Sequence, residues 1–301
     1  MDYLYEVPED RKIRVIIDTD AACEADDPFA IAHALMVKKF IVKGITATHF
    51  AKSGSMKRSF DEIHAILGAM AKNVPVFEGE DGPLKEVRSK DLSPAARFLI
   101  EEAMREDEHP LYVLCLGAIT NVARAVLECP HIKHKIKIIW IGGQEIGNDK
   151  KEIREFNSGN DIDAANFIIG SGANLTLVPN NVYGSVRISL AEIQRRIYPL
   201  GEIGKHLFEN MIAYNMQPWA KWTAGESWTL GESWTLGDSP AVGIAMDENI
   251  ASFQYVEAPL FNPDTTWKHI EGRPQIRVCT SVDSRFILED MIARLEIEYP
   301  N

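Results

Sequence analysis

The sequence has little cysteine, no surplus of basic residues and no long apolar run, and each shortage closes off a class of function. Cys23, Cys115, Cys129 and Cys279 are the only cysteines in 301 residues, widely spaced and without a Cys-x-x-Cys pair. That pattern argues against a zinc ribbon or a disulfide-stapled scaffold and for a reducing compartment. Acidic residues outnumber basic ones, 44 to 32, giving a formal charge of −12. Phosphate backbones and anionic membrane surfaces need clustered Lys and Arg, so neither nucleic acid nor membrane is an expected partner. No apolar run approaches the ~20 residues that cross a bilayer. Residues 1–11 are acidic and polar, with no apolar signal-peptide core, and the cytoplasm is the expected location. No stretch rich in Pro, Gly or Ser separates halves, so one domain over residues 1–301 is expected.

A hydrophobic content of 46% can build a large core. Residues 12–17 (KIRVII) read as a buried strand ending in Asp18-Thr19-Asp20. Asp26-Asp27-Pro28 opens an apolar-periodic stretch over residues 29–36, with an acidic cap and Pro at the first helical position. Strands are predicted at 40–47, 111–116, 136–141 and 175–178, with helices at 56–70, 120–127 and 162–169 between them. Beyond Ser189 come a helix over 191–217, a Trp- and Gly-rich loop and a helix from Pro240. Strands at 251–256 and 275–280 and a terminal helix over 284–295 follow. This alternation predicts an α/β fold with a mostly parallel central sheet and helices on both faces. Ligands in such sheets sit beyond the carboxyl ends of the strands. The hexapeptide at 225–230 recurs unchanged at 231–236, a period too short for a solenoid and read as a local loop duplication.

Asp18, Asp20, Glu24, Asp26 and Asp27 place five carboxylates within ten residues. Such a cluster is either solvated, with one acid capping the helix, or gathered around a hard divalent ion that takes oxygen ligands. Its place at a strand end favours the metal. The spacing does not fit an EF-hand loop.

The Asp18-Thr19-Asp20…Asp26-Asp27 segment resembles the D-T-D-P-G-x-D-D signature of nucleoside hydrolases. Residues 116–123 (LGAITNVA) resemble that family's L-G-x-L-T-N-x-A. Gly142-Gly143 with Glu155-Phe156-Asn157 and Asp161 resembles M-G-G…E-F-N…D, and Asp238 resembles the C-terminal metal-binding Asp. The resemblance implies a Rossmann-like nucleoside hydrolase fold and cleavage of the N-glycosidic bond of ribonucleosides to base and ribose by a calcium-bound water. It implies that Asp20, Asp27, Asp238 and the Thr120 carbonyl hold calcium, with Asp20 also the general base. Asp26, Glu155, Asn157 and Asn148 would hold the sugar. A homodimer or homotetramer and a role in nucleoside catabolism and base salvage are implied as well.

The sequence departs from that pattern. Ala21-Ala22-Cys23-Glu24-Ala25 replaces Pro-Gly-x and is two residues longer; Gly237 stands where many members carry a proton-donating His; and the duplicated loop makes Glu232 a rival to Asp238. His49, after the second strand, is the candidate for the missing acid, with a strand-end surface histidine as the plainer alternative. Trp228 and Trp234 are candidates to stack on the base, since such stacking contributes roughly 1–3 kcal/mol; loop packing is the competing reading. Trp140 is expected in the core, and Asn180 and Asn181 in a turn or at the crevice. Two rivals remain: a haloacid dehalogenase-type phosphatase with Asp18 as nucleophile, and a non-catalytic nucleoside or ribose binder on the same fold.

Overall fold

The computed structural model describes residues 3–50, 53–147, 154–217 and 232–300. Strand β1 (Ile13–Thr19) is buried along its whole length, and its alternate side chains enter two cores: Ile13, Val15 and Ile17 one, Ile16 the other. A strand apolar on both faces belongs between two helix layers. After it come α1 (Asp27–Met36), β2 (Phe40–Ala47), α2 (Ser55–Ala69), β3 (Val76–Phe77), α3 (Leu84–Val87), α4 (Pro94–Met104), β4 (Leu111–Cys115), α5 (Thr120–Glu128) and β5 (Ile136–Ile141). Next are α6 (Phe156–Asn160), α7 (Ile162–Gly170), β6 (Asn174–Val178), α8 (Asn180–Tyr183), β7 (Arg187–Ser189), α9 (Leu190–Glu192) and α10 (Gly201–Asn215). The last described stretch holds β8 (Ser233–Thr235), α11 (Ser239–Met246), β9 (Ala251–Glu257), β10 (Leu260–Phe261), β11 (Trp267–Lys268), β12 (Gln275–Val282) and α12 (Ser284–Glu298).

The main sheet runs β3-β2-β1-β4-β5-β6-β12-β9. Every neighbouring pair in it is parallel except β12 with the edge strand β9. One core packs α1, α2, α10, α11 and α12 on one face through Phe29, Ile63, Ile203, Val242 and Ile287. The other packs α4, α5 and α7 through Leu99, Val122 and Ile168. In register, Thr46, Asp18, Cys115, Trp140 and Leu177 form one row near the carboxyl ends of five strands. The α/β architecture with helices on both faces is therefore as the alternation predicted.

Two local readings differ. Residues 191–217 are not one helix: α9 passes through a π-helical turn, Ile193–Ile197, and α10 starts afresh at Gly201. Pro199 lies in the break and lacks an N–H for the ladder, and Gly201 takes φ +63°, a left-handed turn that glycine adopts without a Cβ clash. Helix α4 has no counterpart in the sequence reading, although Ser93-Pro94 is a helix start and Ser93 Oγ caps Ala96 N at 3.1 Å. The first repeat copy and Trp228 lie outside the described residues, while the second copy supplies β8, antiparallel to β7. Among the described residues no helix is long and apolar enough to cross a membrane.

Candidate active site

The acids converge because three chain segments end at one place. Strand β1 delivers Asp20, the turn into α1 delivers Glu24, Asp26 and Asp27, and the turn into α11 delivers Asp238; all five border one cavity. Asp26 and Asp238 each occupy the residue before a helix, yet neither side chain caps its own helix. Asp26 Oδ2 instead accepts the Gly237 N–H at 3.0 Å, which ties the turn before α1 to the turn before α11. Asp27 accepts the Thr19 hydroxyl. Carboxylate oxygens of Asp26, Asp27 and Asp238 all lie within 4.8 Å of one another. Asp20 borders the same cavity with its Oδ1 directly over Gly117, where a Cβ would overlap it.

No lysine, arginine or histidine lines this cavity among the described residues. Burial, reinforced by the neighbouring acids, drives the carboxyls of Asp20, Asp26 and Asp238 well above the usual range. Burial lifts Asp27 to about 6, against the pull of the Thr19 hydroxyl. Glu24 rises to about 7 from burial and the charge of Asp27, while the Tyr214 hydroxyl bonds to it. Among the described residues the acidic cavity thus lacks a countercharge. A larger cleft, about 840 Å³, lies elsewhere beside Tyr3, Lys72 and Tyr299, but Lys72 is paired with Glu298 and no such cluster meets there.

Glu155 and Asn157 border the same cavity. Glu155 accepts five hydrogen bonds: Gly143 N, Ser158 N and Ser158 Oγ on Oε2, and Asn157 N and the Tyr183 hydroxyl on Oε1. A carboxylate offers about four lone-pair sites, so the protein itself satisfies and fixes Glu155, which borders the cavity as the resemblance expects. Gly143 reaches it with φ +79°, the left-handed geometry that explains glycine at that strand end. Asn157 Nδ2 donates to the carbonyls of Leu116 (2.6 Å) and Ile141 (3.0 Å). Two carbonyl partners fix the amide's orientation, and Oδ1 is the atom that can accept from a ligand. Tyr183, on α8, also borders the cavity; the sequence reading had not singled it out.

Other expected residues are elsewhere. Asp18 Oδ1 accepts Thr46 Oγ1 (2.6 Å) and Asn121 Nδ2 (2.7 Å), so Asp18 bolts β1 to β2 and α5 and does not line the cavity. A phosphatase nucleophile could not work from there. Thr120 is likewise outside the lining; its hydroxyl donates to Asp161 Oδ2 at 2.6 Å, a bond that does not involve the backbone carbonyl expected to ligate calcium. His49, buried, contacts that hydroxyl at 2.9 Å, and burial lowers it to about 4. It stays neutral and does not reach the cavity, which removes it as the leaving-group acid. Trp234 is wholly buried, edge-on to Tyr214 at 5.3 Å between ring centroids, and cannot stack on a base. Trp140 is in the core as expected, donating to the Gly117 carbonyl. Asn180 and Asn181 open α8, and Asn180 Oδ1 accepts Glu145 N. Asn148 falls outside the described residues. Glu232 does not border the cavity; Asp238 does.

The chain is similar to several known proteins in sequence and in fold. The Arabidopsis thaliana protein named uridine nucleosidase 1 is 28% identical over 202 residues, 58% of this chain and 59% of that protein. The Salmonella paratyphi A protein named pyrimidine-specific ribonucleoside hydrolase RihA is 28% identical over 60% of this chain and 64% of its own length. The chain thus spans under two thirds of these curated relatives. In three dimensions, the structure titled purine-preferring ribonucleoside hydrolase from Gardnerella vaginalis superposes with a TM-score of 0.78 at 21% identity, covering 95% of this chain and 99% of that one. The family model described as inosine-uridine preferring nucleoside hydrolase matches residues 15–289, and the chain belongs to that family.

Proposed function

We propose that the chain hydrolyses the N-glycosidic bond of ribonucleosides, releasing free base and ribose, with calcium as its resident metal. The observation that carries this reading is the convergence of Asp20, Asp26, Asp27 and Asp238 on one cavity with no basic partner among the described residues. An all-oxygen donor set of buried acids fits a hard divalent cation. Asp27 and Asp238 would hold it, joined by Asp20 or by Asp26, whose oxygens complete the tight trio. Bound there, calcium would orient the sugar diol and make a water easier to deprotonate.

Asp20, which borders the same cavity, then takes the proton of the attacking water. The water oxygen adds to the anomeric carbon as the bond to the base nitrogen breaks and its electron pair leaves with the base. Positive charge builds on the sugar as that bond stretches, and the fixed negative charge of the cavity stabilises it. Asp26 and Asn157 Oδ1 accept sugar hydroxyls. Pyrimidine and purine preferences both occur in the names of similar proteins, so the test spans both. A reducing-sugar assay on uridine, cytidine, inosine and adenosine should show release that a chelator abolishes and calcium restores. Binding of a nucleoside without any sugar release would instead favour the binder reading.

A further inference from the structure

We propose that Tyr183 is the positioning residue of the sugar-binding wall, acting through Glu155 on Asn157. This rests on the reading of the cavity as a ribose site. Tyr183 is 6% exposed on the short helix α8, directly after β6. Its hydroxyl donates to Glu155 Oε1 at 3.0 Å, the same oxygen that accepts Asn157 N at 3.1 Å. Tyr183 and Asn157 are therefore held by one atom. Its ring lies on the other side against Gly237, where an added Cβ would come within 3.2 Å of Cδ2 and 3.1 Å of Asp26 Oδ2.

Tyr183 thus spans the gap between the acidic wall at Asp26 and the amide wall at Asn157, and the absence of a side chain at 237 makes room for its ring. Without the hydroxyl, Oε1 keeps only the Asn157 N–H. The Oε1 end of Glu155 is then held by one bond instead of two, while Gly143 and Ser158 keep Oε2. The Asn157 backbone loosens at that end, and Oδ1 is aimed at the sugar by the Leu116 and Ile141 carbonyls alone. The ground state and the transition state share the sugar contact, so the loss falls mainly on binding.

The test is a cycle of Tyr183→Phe, Asn157→Ala and the double variant, read by calorimetric titration of D-ribose and by KM and kcat for uridine and inosine. Tyr183→Phe keeps the ring and the packing against Gly237. It should weaken ribose binding and raise KM by about tenfold, the scale of one lost hydrogen bond to a charged group, with kcat changed much less. In the Asn157→Ala background the same substitution should do almost nothing. Equal losses in both backgrounds, or ribose affinity within twofold of the parent, would overturn the assignment. A chain that binds ribose with this coupling yet cleaves no nucleoside would sink the hydrolase reading and leave Tyr183 in place. A chain that cleaves nucleosides but binds no ribose, with KM unmoved by Tyr183→Phe, would overturn the Tyr183 assignment and leave the hydrolase reading standing.

Discussion

The Gly237 N–H and Asp26 Oδ2, 211 residues apart in sequence, meet at 3.0 Å and hold the two acidic turns at one cavity. Gly237 also lies under the Tyr183 ring, so it has little room on either side. Gly237→Ala should leave thermal stability nearly unchanged while raising KM by roughly tenfold, about 1.4 kcal/mol. Steady-state kinetics beside a thermal melt checks this; an unchanged KM would show that the turn relaxes freely.

Asp20→Asn should fold normally and lose kcat by about 10²–10⁴-fold, the range expected for a general base. Gly117→Ala should reproduce much of that loss with Asp20 still present, because a Cβ there would overlap Asp20 Oδ1. Near-normal rates in Asp20→Asn would remove Asp20 from the base role.

Asp18 gives the opposite expectation, since its carboxylate serves the scaffold. Asp18→Ala takes the shared acceptor from Asn121 Nδ2 and Thr46 Oγ1, which keep only the Ala47 carbonyl at 3.0 Å and the Ile17 carbonyl at 3.4 Å, and should lower stability by about 1–3 kcal/mol. Calcium affinity should survive, as measured by titration on the folded variant. A lost calcium site with an intact fold would place Asp18 among the ligands instead.

Much of this was legible in the sequence where the signal is local. The β1 run and the Asp26-Asp27-Pro28 helix start are adjacent residues obeying strand and cap chemistry, and they placed the acids at the strand end. Which acid faces the cavity was legible from the family resemblance, which singles out Asp20, and not from strand alternation. Asp18 and Asp20 share a strand face by alternation, and only the neighbours, Thr46 and Asn121 against Gly117, divide them. His49 and Thr120 are polar residues near strand ends, as ligands are, yet they bond to one another beneath the cavity. Trp234 is wholly covered by residues distant in sequence, Tyr214 among them. Tyr183 carries no charge or motif, and nothing but its distance to Glu155 singles it out.

The raised carboxyls fix the sign of the pH response. A group whose pKa is raised in the folded protein holds a proton there that the unfolded chain has already released. Stability of the metal-free protein from that group is therefore lost as pH rises through the raised value. For Asp27 that window runs from 3.8 up to about 6 and for Glu24 from 4.5 up to about 7. Calcium must displace those protons, so its affinity should rise with pH across the same window. The rise in melting temperature on adding calcium should be small at pH 5 and larger at pH 8, approaching about 2.7 kcal/mol of stabilisation at roughly one hundred times Kd. A calcium shift independent of pH would mean that these acids do not hold the ion.

The most direct test of the convergent acid cage is calorimetric titration of calcium into the chelator-treated protein, beside Asp27→Asn and Asp238→Asn. The account predicts a single saturable site per chain in the parent, weakened by about a hundredfold or more in each variant, with both variants still folded. No calcium binding by the parent, or equal binding by all three, would contradict it.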